Sequence, residues 1–224
     1  MKNTLLTIAL GGLLTISSQA ATLANPNFDT DSYIFMGTSA ETDPQITLGE
    51  SLQGTPSHPH FNFGVVSFDV SSLSTSGDKF LSLSSIEYGS TFGGGSLTPT
   101  GSATVQVVAL GDSFANFQAA ADKTTWYDTY VQSGTATVIG TFNFTDQSTE
   151  HVDVTDAVNG WINDGSSNYG FALFSTSGAV ELASSTYSDD ASLQPALVDT
   201  VPEPSGAVLA GIGSLLLLLR RQRA

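Results

Sequence analysis

The chain has 224 residues, no cysteine and a formal charge of −15. That length suits one globular body plus processing segments, and the missing thiols exclude a disulfide framework, a cysteine nucleophile and cysteine metal sites. Between positions 21 and 200 two lysines, Lys79 and Lys123, stand against twenty acidic residues, a formal charge of −18 that repels nucleic acid and anionic lipid and attracts divalent cations.

The other cations are terminal, and the N-terminal one opens a recognisable segment. In MKNTLLTIALGGLLTISSQA, Lys2 supplies a positive start, Leu5 to Ile16 a short apolar helix, and Ser18-Gln19-Ala20 a small-x-small cleavage site. Residues 1–20 are therefore expected to be a signal peptide, cut between Ala20 and Ala21, with signal peptidase and the general secretion machinery as partners.

From residue 21 to 200, apolar side chains recur mostly with period two. In GVVSFDVSSL, Val66, Phe68 and Val70 point one way and Ser67, Asp69 and Ser71 the other; in ATVIGTFNFT, Val138, Phe142 and Phe144 share a face. HVDV continues the alternation with Val152 and Val154. Further strands are predicted at Ser32–Met36, Phe80–Ser84, Ile86–Phe92, Ala103–Leu110, Tyr169–Phe174, Val180–Ser184 and Pro195–Val201. Two short helices interrupt them. One, Ser113–Asp122, lines up Phe114, Phe117 and Ala121; the other carries Val158, Trp161 and Ile162 and is expected to be capped by Thr155. Many short strands between turn-rich stretches predict an all-β body, an antiparallel β-sandwich of jelly-roll-like type with one or two short helices.

The end of the chain changes character. Pro202 and Pro204 flank Glu203 and hold Val201 to Pro204 extended. Ser205 to Leu219 then forms an apolar run of fifteen residues, about 22 Å as a helix against a hydrocarbon layer of ~30 Å, a marginal transmembrane span. Arg220, Arg221 and Arg223 close it and belong on the cytoplasmic side, which leaves the body outside the inner membrane, in agreement with the N-terminal segment. Pro-Glu-Pro, a short apolar helix and a terminal basic cluster resemble the PEP-CTERM sorting signal of Gram-negative bacteria that make exopolysaccharide. The resemblance covers residues 201–224. It implies processing by a membrane-embedded exosortase, transient contact with the inner membrane and delivery to the cell surface or its polymer matrix.

The body, residues 21–200, is similar to the DNRLRE-type β-sandwich modules, relatives of certain polysaccharide-binding modules of secreted proteins. Asp31-Ser32-Tyr33-Ile34 matches their opening strand, Val65 to Leu73 their "LL-x-FDLSSL", and Gln194 to Val198 their closing strand. His151 to Val158 with Trp161, Asn168, Gly170 and Leu173 resembles "fDVTdaV-xxW-…-N-x-G-x-x-L". The family usually has a basic residue at the position of Ser67 and often Arg at that of Gln194, so any role of those cations is absent from this chain.

No catalytic residue is assigned. His58-Pro59-His60 lacks a third zinc ligand at useful spacing and reads as an exposed loop; His151 alternates outward on its strand, and a Ser-His-Asp triad drawn from it and the chain's many serines lacks a G-x-S-x-G elbow; Gly93–Gly95 lacks the Lys-Ser/Thr of a phosphate loop and reads as a turn. A glycosidase pair among the carboxylates is a matter of spacing in three dimensions. Calcium is the cofactor that the oxygen donors Asn27, Asp29 and Asp31, with Asp189 and Asp190 from a late loop, would suit if the chain ends meet; solvated loop acids are the plainer reading. Trp126 and Tyr130 are the candidates for stacking on sugar rings, against a core role for both; Trp161, at helical spacing with Val158 and Ile162, is expected in the core. The expected function is an exported, surface-sorted, non-catalytic β-sandwich, a structural or adhesive component of the extracellular polysaccharide matrix. A carbohydrate-binding module and a polysaccharide-degrading glycosidase or lyase are the alternatives.

Overall fold

The computed structural model describes residues 20–33, 45–51, 60–86, 102–132, 137–145 and 147–199. The signal segment up to residue 19, the tail from 201, the expected strand portions 34–36 and 87–92, His58, Pro59 and Gly93–Gly95 lie outside them.

The strands are β1 (Thr22–Ala24), β2 (Pro26–Tyr33), β3 (Gln45–Leu48), β4 (Glu50–Ser51), β5 (His60–Phe68), β6 (Phe80–Ser84) and β7 (Ser102–Ala109). They continue with β8 (Val138–Thr145), β9 (Thr149–Asp153), β10 (Phe171–Ser177), β11 (Val180–Ala183) and β12 (Ala196–Val198). Among the described residues three α-helices accompany them: α1 (Phe114–Ala119), α2 (Lys123–Tyr127), which runs on into a π-helical turn Asp128–Gln132, and α3 (Thr155–Asn163). One sheet has the order β1-β12-β6-β9 and the other β2-β5-β10-β7-β8, with β4 also pairing β5 and a β11-β3 ribbon beside them. Every pairing is antiparallel. The body is thus all-β, and the chain passes repeatedly between sheets in the order of a jelly roll with β5 inserted between β2 and β10.

Alternation along the strands produces two cores. Val66, Phe68, Val105, Val107, Phe142, Phe144, Phe171 and Leu173 face the smaller sheet, meeting Leu81, Leu83, Val152 and Leu197 there and Ile46, Leu48 and Leu182 from the ribbon. The opposite parity, Phe63, Val65, Val108, Ala172 and Phe174, lies under a cap made by Phe114, Phe117, Trp126, Tyr127 and Val131. Phe63 is the hub of this second core, in edge or tilted ring contact with Phe114, Phe117, Trp126 and Tyr127. Trp161 of α3 closes the first core instead, its ring 4.7 Å from that of Phe171.

Several expectations hold: β6 has the expected bounds, Val66, Phe68 and Val70 are buried, and α3 turns Val158 and Trp161 inward. Others need correction. Val138 is 46% exposed, because the β7–β8 register slips by one residue at Ile139; the bulge turns Ile139 toward the core and Val138 away from it. The helix predicted over Ser113–Asp122 ends at Ala119, leaves Ala121 exposed and restarts at Lys123 with Asp122 as its cap. Thr155 does not cap α3 with its hydroxyl; that group accepts from the Lys79 N–H at 2.8 Å, and Asp153 Oδ1 accepts from the Thr155 N–H at 2.9 Å.

The residues behind the second resemblance have structural tasks here. The Asn168 side-chain amide donates to the Phe68 carbonyl at 2.9 Å, and the Gly170 carbonyl accepts from the Leu110 N–H at 2.9 Å. Gly170 has φ of +89°, and a Cβ there would lie 2.7 Å from the Val66 carbonyl oxygen and 3.1 Å from the Ser67 Cα. Gly170→Ala should therefore destabilise the fold by about 2 kcal/mol or more. Gly160→Ala, on an exposed turn of α3 with no atom within 4 Å, should instead stabilise by up to about 1 kcal/mol. Urea unfolding midpoints of the two variants would check the pair.

Candidate acidic cleft and aromatic cap

A cleft of about 700 Å³ opens where β9 passes into α3. Its oxygen-bearing walls are Asp78 from the loop before β6, Asp153, Thr155 and Asp156 from the β9–α3 junction, and Thr137 ahead of β8. Asp153 holds the junction turn through its bond to the Thr155 N–H, and Asp156 lies in the first turn of α3, where the helix dipole favours a negative charge. Such a wall suits sugar hydroxyls or hydrated cations; among the described residues, however, no three His, Asp or Glu side chains converge closely enough to hold a metal ion.

The residues proposed for calcium are placed as follows. Asn27 Oδ1 accepts from the Ser67 hydroxyl at 2.9 Å. Asp29 accepts from the Ser185 N–H at 2.5 Å and from the Ser185 hydroxyl at 2.6 Å, which joins β2 to the loop after β11. Asp31 stands opposite Gly64 in the β2–β5 ladder. Asp190 accepts from the Ser192 N–H and hydroxyl and so caps the turn Ala191–Leu193, while Asp189 is exposed beside it. The early and late segments do meet, through Asp29 and Ser185, but Asp190 is directed to its own turn. The two ends of the body meet as well, at Ala21 and Asp199.

Trp126 is only 6% exposed. Its indole N–H donates to Asp112 Oδ2 at 2.9 Å, and its ring lies 5.1 Å from that of Phe117 and 5.2 Å from that of half-buried Tyr130. It is a core residue with a satisfied polar edge rather than an open stacking platform. Sequence reasoning missed Asp112. Burial draws its pKa upward, but hydrogen bonds from Trp126, Asn116 and the Ser113 N–H outweigh this and hold the carboxyl below the ordinary range. The available signal was its place one residue before the Ser113 cap, which puts it within reach of Asn116.

Both body lysines serve the main chain. Lys79, 1% exposed, donates from Nζ to the Gly77 carbonyl at 3.1 Å and to that of Ser76 at 3.4 Å. Lys123 Nζ donates to the carbonyls of Gln118 and Ala120 at 3.1 Å each, at the end of α1. His151 is half-buried in β9 opposite Ser82, and its Nδ1 has no hydrogen-bond partner. Comparison with protein-family models and with curated proteins gave no match for this chain. Among the described residues, no helix is long and apolar enough to cross a membrane.

Burial lowers the pKa of His151, against an opposing pull from Glu150. The unfolded chain therefore takes up the proton first, so the contribution of this group to stability is intact above the ordinary value near 6.5 and is lost as pH falls from there through the folded value. Denaturant midpoints measured between about pH 8 and pH 5 should fall on this limb, and His151→Gln should flatten it while leaving the steeper carboxylate loss below about pH 4.5.

Proposed function

We propose that this chain is an exported, surface-sorted, non-catalytic β-sandwich that serves as a structural or adhesive component of an extracellular polysaccharide matrix. The observation that carries the reading of the body is how its side chains are used. The large aromatic groups of both cores are turned inward, and both lysines are tied to main-chain carbonyls. The exterior is therefore left to hydroxyls, amides and carboxylates with little positive charge to neutralise them. Such a surface stays hydrated, avoids anionic polymers unless a divalent cation bridges them, and resists self-association. The Pro202-Glu203-Pro204 segment, the short apolar run and Arg220, Arg221 and Arg223 support delivery by an exosortase-type enzyme, as residues 1–20 support export.

The cleft favours a second reading, a carbohydrate-binding module. Asp78, Asp153 and Asp156 with Thr137 and Thr155 offer acceptors and hydroxyls to a sugar without an aromatic platform. Calcium belongs to both readings, as a bridge between the carboxylate-rich surface and acidic polymers.

Fractionation of cells that make the full chain tests the first reading. The intact protein should be recovered from the surface and extracted matrix, and a Pro202→Ala/Pro204→Ala variant should fall there several-fold and accumulate in the inner membrane. Retention of the wild-type chain in the cytosol would overturn it. Affinity electrophoresis of the exported protein in neutral and acidic polysaccharides, with and without calcium, separates the two readings. The structural reading expects no retardation by isolated polymers, whereas the module expects retardation that Asp153→Ala weakens at least about fivefold.

A further inference from the structure

The two ends of the sandwich close on each other. β1 and β12 are antiparallel, with Thr22 opposite Val198, and just past this pair Asp199 grips Ala21 at both of its backbone groups. The Ala21 N–H donates to Asp199 Oδ1 at 2.9 Å, and the Asp199 N–H donates to the Ala21 carbonyl at 3.2 Å. Ala21 is exposed, and Asp199 stands three positions before Pro202. In the uncut chain the Ala21 nitrogen is an uncharged amide. Hydrolysis of the Ala20–Ala21 bond breaks the C–N bond and consumes one water: the Ala20 carbonyl carbon keeps the hydroxyl oxygen as a carboxylate, and the Ala21 nitrogen leaves as an α-ammonium after taking up both protons.

We propose that this cut converts a neutral hydrogen bond into an ion pair between the Ala21 α-ammonium and the Asp199 carboxylate, which clasps the mature N-terminus to the root of the sorting tail. The proposal rests on the reading that export ends with cleavage after Ala20. No rearrangement is needed, because the nitrogen that gains the charge already lies within hydrogen-bond distance of the carboxylate oxygen. A charge-assisted bond is roughly twice as strong as a neutral one, whereas an exposed ion pair adds little to global stability. The effect should therefore be modest in melting temperature and plain in the chemistry of the amine.

The test uses the full chain, exported and processed by a host with its own secretion machinery. Intact mass identifies the new N-terminus, and a limiting amine-acylating reagent near neutral pH measures the reactivity of the Ala21 amine. Asp199→Asn keeps an acceptor oxygen and removes the charge; Asp199→Ala removes both. The wild-type amine should be acylated several-fold more slowly than in either variant, and the wild type should melt about 1–3 °C above Asp199→Asn. Should a variant fold poorly, the wild type alone reports the pair: its labelling should quicken several-fold between about 0.05 M and 1 M salt as screening loosens it. A chain that begins at Ala21 but is acylated at equal rates in wild type and Asp199→Asn, without salt dependence, overturns the clasp and leaves the export reading standing. A chain that begins elsewhere overturns both.

Discussion

The structure depends on covering one set of strands twice. β5, β10 and β7 lie inside the larger sheet and are apolar on both parities, with Val66, Phe68, Phe171, Leu173, Val105 and Val107 on one face and Phe63, Val65, Ala172, Phe174 and Val108 on the other. A sandwich covers only one of these faces. The second is covered by the insertion between β7 and β8, which folds as α1, α2 and the π-helical turn and sets Phe117 and Trp126 against Phe63. Removing a large aromatic from such a site typically costs about 3–5 kcal/mol, so the cap is part of the core and not an ornament on it. The same constraint explains why Trp126 is buried, and why its indole N–H needs Asp112 at the rim.

With no cysteine and two body lysines, the loops are held by carboxylates and hydroxyls acting on the main chain. Asp69, Asp122 and Asp190 each accept from residues two or three positions ahead, and in all three these hydrogen bonds draw the pKa down against a small opposing effect of burial. A lowered carboxyl pKa means that the folded form favours the anion, so these turns contribute most above the ordinary carboxylate range and weaken as pH falls through their folded values. The acidic composition therefore has two parts: a solvated surface charge, and a set of anions that serve as turn and helix caps. A basic protein of this fold would need another way to close the same turns.

Much of this was legible in the sequence because alternation is local. Val66, Phe68 and Val70, Phe142 and Phe144, and Val158 with Trp161 all declare their faces within a few residues. What was missed depends on neighbours distant along the chain. β1 and β3 are too short to show a period and exist because β12 and β11 supply partners. Val138 shares the parity of Phe142, yet a bulge at Ile139, set by the register with β7, turns it outward. Trp126 and Tyr130 carry the composition of a sugar platform; Trp126 becomes a core residue because α2 sets it against Phe63 of β5, distant along the chain, and against Phe117. The acidic cleft was not legible at all, since Asp78 meets the Asp153–Asp156 segment through the pairing of β6 with β9 and the bonds of Lys79 to Val154 and Thr155.

Antiparallel pairing of β1 with β12 has a topological consequence for the two ends of the body. The N-terminal end of β1 and the C-terminal end of β12 necessarily lie side by side, and the Ala21–Asp199 contacts mark that corner. That corner belongs to the smaller sheet, whereas the aromatic cap is built on strands of the other sheet. At this corner Leu197 and Val198 are buried while Ala21 and Thr22 are exposed, so the first residues of the β1–β12 ladder belong to neither hydrophobic core. A change confined to Ala21 or Thr22 therefore acts on the hydrogen bonds of that ladder and on neither core.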